Sequence, residues 1–255
     1  FLQSLLDSHT EVLTFNGSFW FHDFWDNSKC AKTDKIIISD LLDEFVGSHL
    51  EKLKSKYDIR ERKDSLGENG DQSIDIDLSV FKTEITKLIH GRKITSNNFF
   101  LSVYGAYAIC LNQDLLKLKI LLHHIHNAER LPQYIADFPD SKIICMTRDP
   151  RANFVSGVLN WRKHDKDSDC GWHLFYYIRR IIVDAYSVDQ YPNECIVIRI
   201  EDLGEKCIIQ ALCRWLNIKY ETTLEHSTWG GLRWRGDRVS SNENTTTGWS
   251  AKMLE

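Results

Sequence analysis

Apolar positions recur at helical spacing through most of the first half of the chain. Leu41, Leu42, Phe45, Leu50 and Leu53 predict a helix within 40–57 that runs into a charged, solvated Lys54–Lys63 stretch. Val80, Phe81, Ile85, Leu88 and Ile89 predict another over Ser79–His90, and a third spans Asn97–Leu111 with Ser96 or Asn97 as its cap. The opening FLQSLL reads as an amphipathic helix with no capping residue before it, as if residues upstream were missing. Pro132, Pro139, Pro150 and Pro192 all lie in the second half, so proline interrupts no helix in the first 130 residues. Gly17–Trp25 is dense in aromatic residues. Core packing is the first reading, because such rings are large apolar volumes before anything else, and a binding cleft is the second. The polar, glycine-containing segment between Asp64 and Asp77 reads as a connector, with a mobile lid as the alternative.

After residue 117 the pattern changes to short apolar runs, each followed by a helix. Lys117–Leu122, Lys142–Thr147 and Cys195–Ile200 are strand candidates, and Asn127–Ala136, Pro150–Trp161, Trp172–Val188 and Lys206–Leu216 are the helices among them. This alternation predicts an α/β fold: a central parallel sheet flanked by helices in three layers, with ligands at the carboxyl ends of its strands.

The 255 residues are 42% apolar and 27% charged, ordinary globular values that argue against disorder and suffice for a real core. No linker-like composition divides them, so a single domain over 1–255 is expected. The net charge of −4 leaves no basic excess for a nucleic-acid backbone, and nucleic acid is not an expected partner. No stretch approaches the roughly 18 apolar residues needed to span a bilayer, and no basic-then-apolar leader is visible. Seven scattered cysteines, without a CxxC or a Cys/His metal spacing, read as reduced core residues, which suggests a cytoplasmic location.

The segment richest in chemistry is KIICMTRDPRANFVS, residues 142–156. An apolar strand delivers Arg148 to the sheet's carboxyl edge, and Pro150 then suits the first helical turn, where its missing N–H costs nothing. Arg148 and Arg151 crowd an electropositive helix N-terminus, an unfavourable arrangement unless they share an anion. Ser156, two turns along, leans back toward the strand end, so an arginine fork and a hydroxyl together suit one phosphate. The plainer alternative stays open at this point: Asp149 as helix cap, Arg148 as a paired surface charge, Ser156 as a packing residue.

With its strand, Arg148 and Ser156 eight residues apart, this segment resembles the 3′-phosphate-binding strand and helix of the sulfotransferases that use 3′-phosphoadenosine-5′-phosphosulfate. FLQSLLDSHTEVL resembles the helix that follows the family's phosphosulfate loop, whose Arg-Ser-Gly-Thr-Thr type sequence would lie just before Phe1. Ile200-Glu201-Asp202-Leu203 resembles the family's Tyr-Glu-Asp-Leu, with isoleucine in place of tyrosine. The GGLRWRGD segment at 230–237 is similar to the late loop that folds over the nucleotide. The resemblance covers essentially the whole chain. It implies a sulfotransferase-like fold akin to the nucleotide kinases, and transfer of a sulfuryl group to a hydroxyl or amine of a small-molecule acceptor, leaving 3′,5′-adenosine bisphosphate. Arg148 and Ser156 would hold the 3′-phosphate, while Arg233, Trp234, Arg235 and Gly236 would contribute cation, aromatic face and backbone donor to the nucleotide.

The resemblance also points to the end of the Lys117–Leu122 strand, where His123-His124-Ile125-His126 follows, as the source of the base. If the strand continues, alternation puts His124 and His126 on one side and His123 on the other, so the catalytic pair is His124 and His126, with packing roles as the alternative. Three close histidines also suggest a metal, but no further ligand follows at suitable spacing, and none is expected; Asn127 reads as a helix cap. Two other functions remain open. A small-molecule or nucleoside kinase of related fold would need a GxxxxGK[ST] loop, which the sequence does not contain, and a non-catalytic nucleotide-binding module would need no phosphosulfate loop at all.

Overall fold

In the computed structural model, which describes residues 1–255 apart from 16, 18, 34, 59–62, 127, 165–169 and 236–255, the chain is mixed α/β and 53% helical. Its elements are α1 (Leu2–Leu6), β1 (Val12–Thr14), α2 (Phe21–Asn27), α3 (Ile38–Ser48), α4 (Leu50–Leu53), α5 (Leu78–Ile89), α6 (Ser96–Cys110) and β2 (Ile120–Leu122). There follow α7 (Leu131–Asp137), β3 (Ile143–Thr147), α8 (Pro150–His164), α9 (Cys170–Asp189), β4 (Cys195–Arg199), α10 (Lys206–Leu216), β5 (Thr228–Trp229) and β6 (Leu232–Arg233). Two compact units result, one from Phe1–His126 with the described residues from Leu212 on, the other from those between 128 and Ala211. Among the described residues the strands pair two by two: β1 with β2 and β3 with β4 in parallel, β5 with β6 antiparallel.

The first unit departs from its sequence pattern at the start. All five residues of α1 are buried, so this helix is not amphipathic, and the chain leaves it at Asp7 to become β1 by Val12. Long-range hydrogen bonds dictate the break. Asp7 is buried; its Oδ1 accepts from Thr14 Oγ1 at 2.5 Å and its Oδ2 from the Gly231 N–H at 2.9 Å. His9 Nδ1 accepts from the Glu11 N–H, which leaves Nε2 to donate to the Lys219 carbonyl at 2.6 Å. Asp7→Ala leaves the buried Thr14 hydroxyl and the part-buried Gly231 N–H without their acceptor and is expected to lower stability by about 1–3 kcal/mol, with Asp7→Asn losing less, as read from urea denaturation.

α6 is buried on nearly every side, through Phe99, Phe100, Val103, Tyr104, Ala106, Tyr107 and Ala108, and is the unit's central helix. Its cap is Thr95, which accepts the Asn98 N–H at 3.2 Å, in place of the expected Ser96 or Asn97. Gly105 lets α5 come close: a Cβ there would meet Leu88 Cδ1 at 2.9 Å. Around α6 gather Phe15, Phe19, Phe21, Phe45 and Phe81, each at most 2% exposed. The aromatic stretch therefore supplies core at Phe19 and Phe21, whereas Trp20 between them is 46% exposed. The 64–77 connector is pinned: Leu66 and Gln72 exchange backbone hydrogen bonds, Ile76 N–H donates to Leu53, Gly67 N–H to Arg233, and Leu66, Ile74 and Ile76 are buried.

Between α3 and α4 the helix breaks at His49, whose ring stacks on Phe45 at 4.4 Å and meets Phe19 edge-on at 4.9 Å. Burial pushes the His49 pKa down to about 4, although its hydrogen bond to Phe45 acts the other way. The native imidazole is thus neutral where the unfolded one is protonated. Stability contributed by this neutrality is full above about pH 6.5 and is lost as pH falls toward 4, by about 3 kcal/mol. His49→Phe, which keeps a ring at this position, is expected to flatten the acid limb of stability measured between pH 6.5 and 4.

In the second unit β3 and β4 run in register from Ile143 opposite Cys195 to Thr147 opposite Arg199. α8 and α9 connect them, and Phe154 meets Tyr177 edge-on at 6.1 Å. α9 is amphipathic in an unexpected sense. Leu174, Phe175, Ile178, Ile181, Ile182 and Tyr186 form an exposed stripe, while Tyr177, Arg180 and Asp184 lie on the more buried side. There Asp184 accepts the Ala128 N–H and pairs with Arg180 at 3.5 Å. The expected helix Asn127–Ala136 is a 3₁₀ turn, Ala128–Arg130, followed by α7; Asn127 lies outside the described residues.

Candidate functional site

The carboxyl ends of β3 and β4 gather the charged residues of the second unit. Thr147 pairs with Arg199, so the two chains leave the sheet side by side, one into Arg148-Asp149-Pro150 and the other into the 3₁₀ turn Ile200–Gly204. Glu201 ties them together, its Oε1 accepting the Asp149 N–H at 3.0 Å. Burial raises the Glu201 pKa, but this hydrogen bond and the charges of Arg199 and Arg148 outweigh it, and the carboxyl stays ionised below its ordinary range. Arg199 Nε lies 3.9 Å from Glu201 Oε2.

The two arginines that the sequence leaves equivalent are not equivalent in the fold. Asp149 caps α8 by accepting the Arg151 N–H at 2.9 Å, and it grips the Arg151 guanidinium with both oxygens, Nε at 3.1 Å and Nη2 at 2.7 Å. That fork holds the Asp149 carboxyl well below the usual carboxylate range. Arg151 is therefore neutralised. Arg148 is half-buried, makes no ion pair among the described residues, and its Nε is buried without a hydrogen-bond partner. An arginine keeps its charge at any accessible pH, so an unanswered buried donor on it calls for an acceptor from outside. Of the plainer alternative, the Asp149 cap is present and the paired surface charge at Arg148 is not. Ser156 lies in the second turn of α8, partly exposed, with no hydrogen bond among the described residues.

The histidines belong to the first unit. His123 is packed among Phe19, Phe100 and Tyr104, its Nδ1 2.7 Å from the Tyr104 hydroxyl, and burial lowers its pKa well below the ordinary value. It packs against the edge of the aromatic cluster. β2 ends at Leu122, so the histidines follow the strand and its alternation does not extend to them; His124 and His126 have ring centroids 4.3 Å apart, His124 is exposed, and His126 stacks on Trp20 at 5.4 Å and 11°.

The glycines between β5 and β6, Gly230 and Gly231, have φ of 55° and 78°, the left-handed pair that a two-residue hairpin turn requires. Beyond them Trp234 packs edge-on against Trp229 at 5.6 Å, donates its N–H to Ser227 O at 2.9 Å, and keeps its indole Nε1 buried without a partner. Arg233 accepts the Gly67 N–H through its carbonyl, and Arg235 is exposed and donates to the Glu68 carbonyl at 3.2 Å. Gly236 lies outside the described residues.

Within the second unit the fold thus brings Arg148 together with Arg199, Glu201 and Tyr177. Tyr177 has its phenol pKa raised by burial and pulled back by the charges of Arg180 and Arg148. Arg199 and Tyr177 were not anticipated; the register of β3 against β4 gives Arg199 its place, and the strand alignment KIICMT over CIVIR was the only signal for it. Among the described residues no group of three or more His, Cys, Asp or Glu side chains is placed to hold a metal, and no helix is long and apolar enough to cross a membrane. Cys30, Cys110, Cys145, Cys195, Cys207 and Cys213 are free thiols. No protein-family model, no curated protein and no solved structure matches this chain.

Proposed function

We propose that the protein is a sulfotransferase that uses 3′-phosphoadenosine-5′-phosphosulfate, and that Arg148 with Ser156 holds the donor's 3′-phosphate. The observation that carries this reading is the state of Arg148: a permanent cation at the carboxyl end of a parallel strand pair, its Nε buried and unanswered, while its neighbour Arg151 is satisfied by Asp149. A phosphate oxygen is the acceptor such a group lacks, and the α8 N-terminus adds favourable dipole in the same place. With this reading goes a sulfotransferase-like three-layer fold around one parallel sheet.

The donor supplies an activated sulfuryl group; the chain's own residues bind, orient and take a proton. His124 and His126 are the base pair for the acceptor. His124 is exposed, so an acceptor hydroxyl or amine can reach it, and the His126 ring lies beside it with centroids 4.3 Å apart. As the acceptor's oxygen or nitrogen bonds to sulfur, its proton passes to imidazole, and the bond between sulfur and the phosphate oxygen breaks to leave 3′,5′-adenosine bisphosphate. Arg233, Trp234 and Arg235 are assigned to the nucleotide, Gly236 with them. The acceptor is a small molecule.

Calorimetric titration with 3′,5′-adenosine bisphosphate against ADP tests the reading directly, because the two share the adenosine and the 5′-side negative charge but only the first carries a 3′-phosphate. Preference for the bisphosphate is expected. Equal binding, or preference for ADP, overturns the assignment of Arg148 and favours a kinase-like nucleotide site.

A further inference from the structure

A second feature of the first unit is not used by the nucleotide reading. Along α2, α3 and α4 runs a cleft of about 280 Å³ whose wall includes Trp20, Phe24 and His49, a size at the small end for small-molecule sites. His49 is 7% exposed. Its Nδ1 lies 3.0 Å from the Phe45 carbonyl, which can only accept, so Nδ1 carries the proton and Nε2 the lone pair. Nε2 makes no hydrogen bond among the described residues, and Phe45, Phe19 and Phe24 pack around the ring, the last at 5.4 Å. The cleft wall thus includes a ring whose Nε2 is an accessible acceptor without a protein donor among the described residues. At neutral pH the ring stays uncharged, since its pKa is pushed down to about 4 by burial.

The remaining chemistry of the wall has one sign. Asp23, Glu44 and Glu51 contribute carboxylates, and the single ammonium, Lys52, sits 3.1 Å from Glu51. Glu44 is firmly ionised, its pKa held at about 2 by hydrogen bonds from Ser28 and from the Cys30 and Lys29 N–H groups, against the effect of burial. Its oxygens are committed to that turn, at 2.6 Å to Ser28 Oγ and 3.1 Å to Lys29 N, so it contributes field and not a free contact. An anion is repelled here. Trp20 completes the wall. One face of its indole stacks on His126, and 46% of the residue remains exposed, offering the electron-rich surface that attracts cations.

We propose that this cleft binds a small organic cation: a primary ammonium that donates to His49 Nε2 within the carboxylate field, carried on an apolar or aromatic body that lies against Trp20 and Phe24. The site uses none of the residues assigned to the nucleotide, although its Trp20 stacks on His126, and no nucleotide enters its test. Calorimetry of the protein at pH 7.5 with 2-phenylethylamine is compared with its neutral isostere 2-phenylethanol. The amine is expected to bind roughly tenfold more tightly, a ratio appropriate to a cation over an aromatic face with carboxylates nearby. Trp20→Ala and Glu51→Gln, both at exposed positions where folding is not at stake, are expected to weaken the amine several-fold, the second by also releasing Lys52 from its partner. His49→Phe is expected to remove the preference for amine over alcohol. Equal affinity for the two probes, no heat at millimolar amine, or an unchanged amine affinity in Trp20→Ala overturns the proposal.

Discussion

Arg148→Ala is expected to abolish the preference for 3′,5′-adenosine bisphosphate over ADP, weakening the bisphosphate by roughly 30- to 100-fold, the equivalent of one charge-assisted, forked contact. ADP affinity should hardly change. Arg151→Ala is the informative control. The two arginines are three residues apart and carry the same charge, but Asp149 holds Arg151 in a two-point fork, whereas Arg148 has no ion pair among the described residues. Removing Arg151 should therefore cost only a few-fold through the lost local field, and part of that loss should disappear at high salt. Arg148→Lys keeps the charge but not the planar fork and is expected to fall between wild type and alanine. Stability gives a second readout. The Arg148 Nε is buried without a hydrogen bond, so its removal relieves an unmet donor and should leave unfolding within about 1 kcal/mol of wild type, or slightly more stable. A ligand-binding arginine predicts this split between affinity and stability; a structural one predicts the opposite. Equal losses in the Arg148 and Arg151 variants would remove the basis for the 3′-phosphate assignment.

Phe19→Ala is expected to destabilise the protein by about 3–5 kcal/mol, whereas Trp20→Ala, one residue on, should change stability by about 0.5 kcal/mol or less. Phe19 is 2% exposed and sits at the meeting point of the aromatic core, stacked on Phe15 at 4.7 Å and edge-on to Phe45, Phe21 and His123. Truncation leaves a cavity among rings on α2, α3 and α6, which cannot all move to fill it. Trp20 is 46% exposed, and its principal packing is the stack on His126. Urea denaturation of the two variants, followed by a signal from the first unit, measures the contrast. Similar losses would mean that Trp20 is core and would also remove the open indole face from the cleft. The pair separates core from cleft within one aromatic stretch, which the sequence presents as continuous.

How much of this was legible in the residues differs by element. β3, β4, α8 and α10 begin and end within a few residues of where apolar periodicity and Pro150 place them, because a strand's alternation and a helix's first turn depend on neighbouring residues. β1 was not legible. Three buried residues, Val12 to Thr14, make a strand only because β2 lies alongside, about a hundred residues later, and the HTEV stretch looks no different from the helix it was expected to continue. Strand alternation could not assign sides to His123, His124 and His126, because β2 ends at Leu122; the fold instead packs His123 against the aromatic cluster, with Tyr104 as its hydrogen-bond partner.

The distinction that matters most for function, between Arg148 and Arg151, is absent from the sequence, where both are arginines beside one aspartate. The residues by themselves determined the local geometry: an apolar strand ending in a cationic turn, a proline-started helix, a serine two turns in. Only the tertiary structure decided which cation keeps an unanswered donor, which aromatic ring faces solvent, and that His49 becomes part of a cleft wall. Local conformation is set by steric and hydrogen-bonding preferences within a turn or two of chain, whereas burial and charge pairing depend on segments that the fold alone brings into contact.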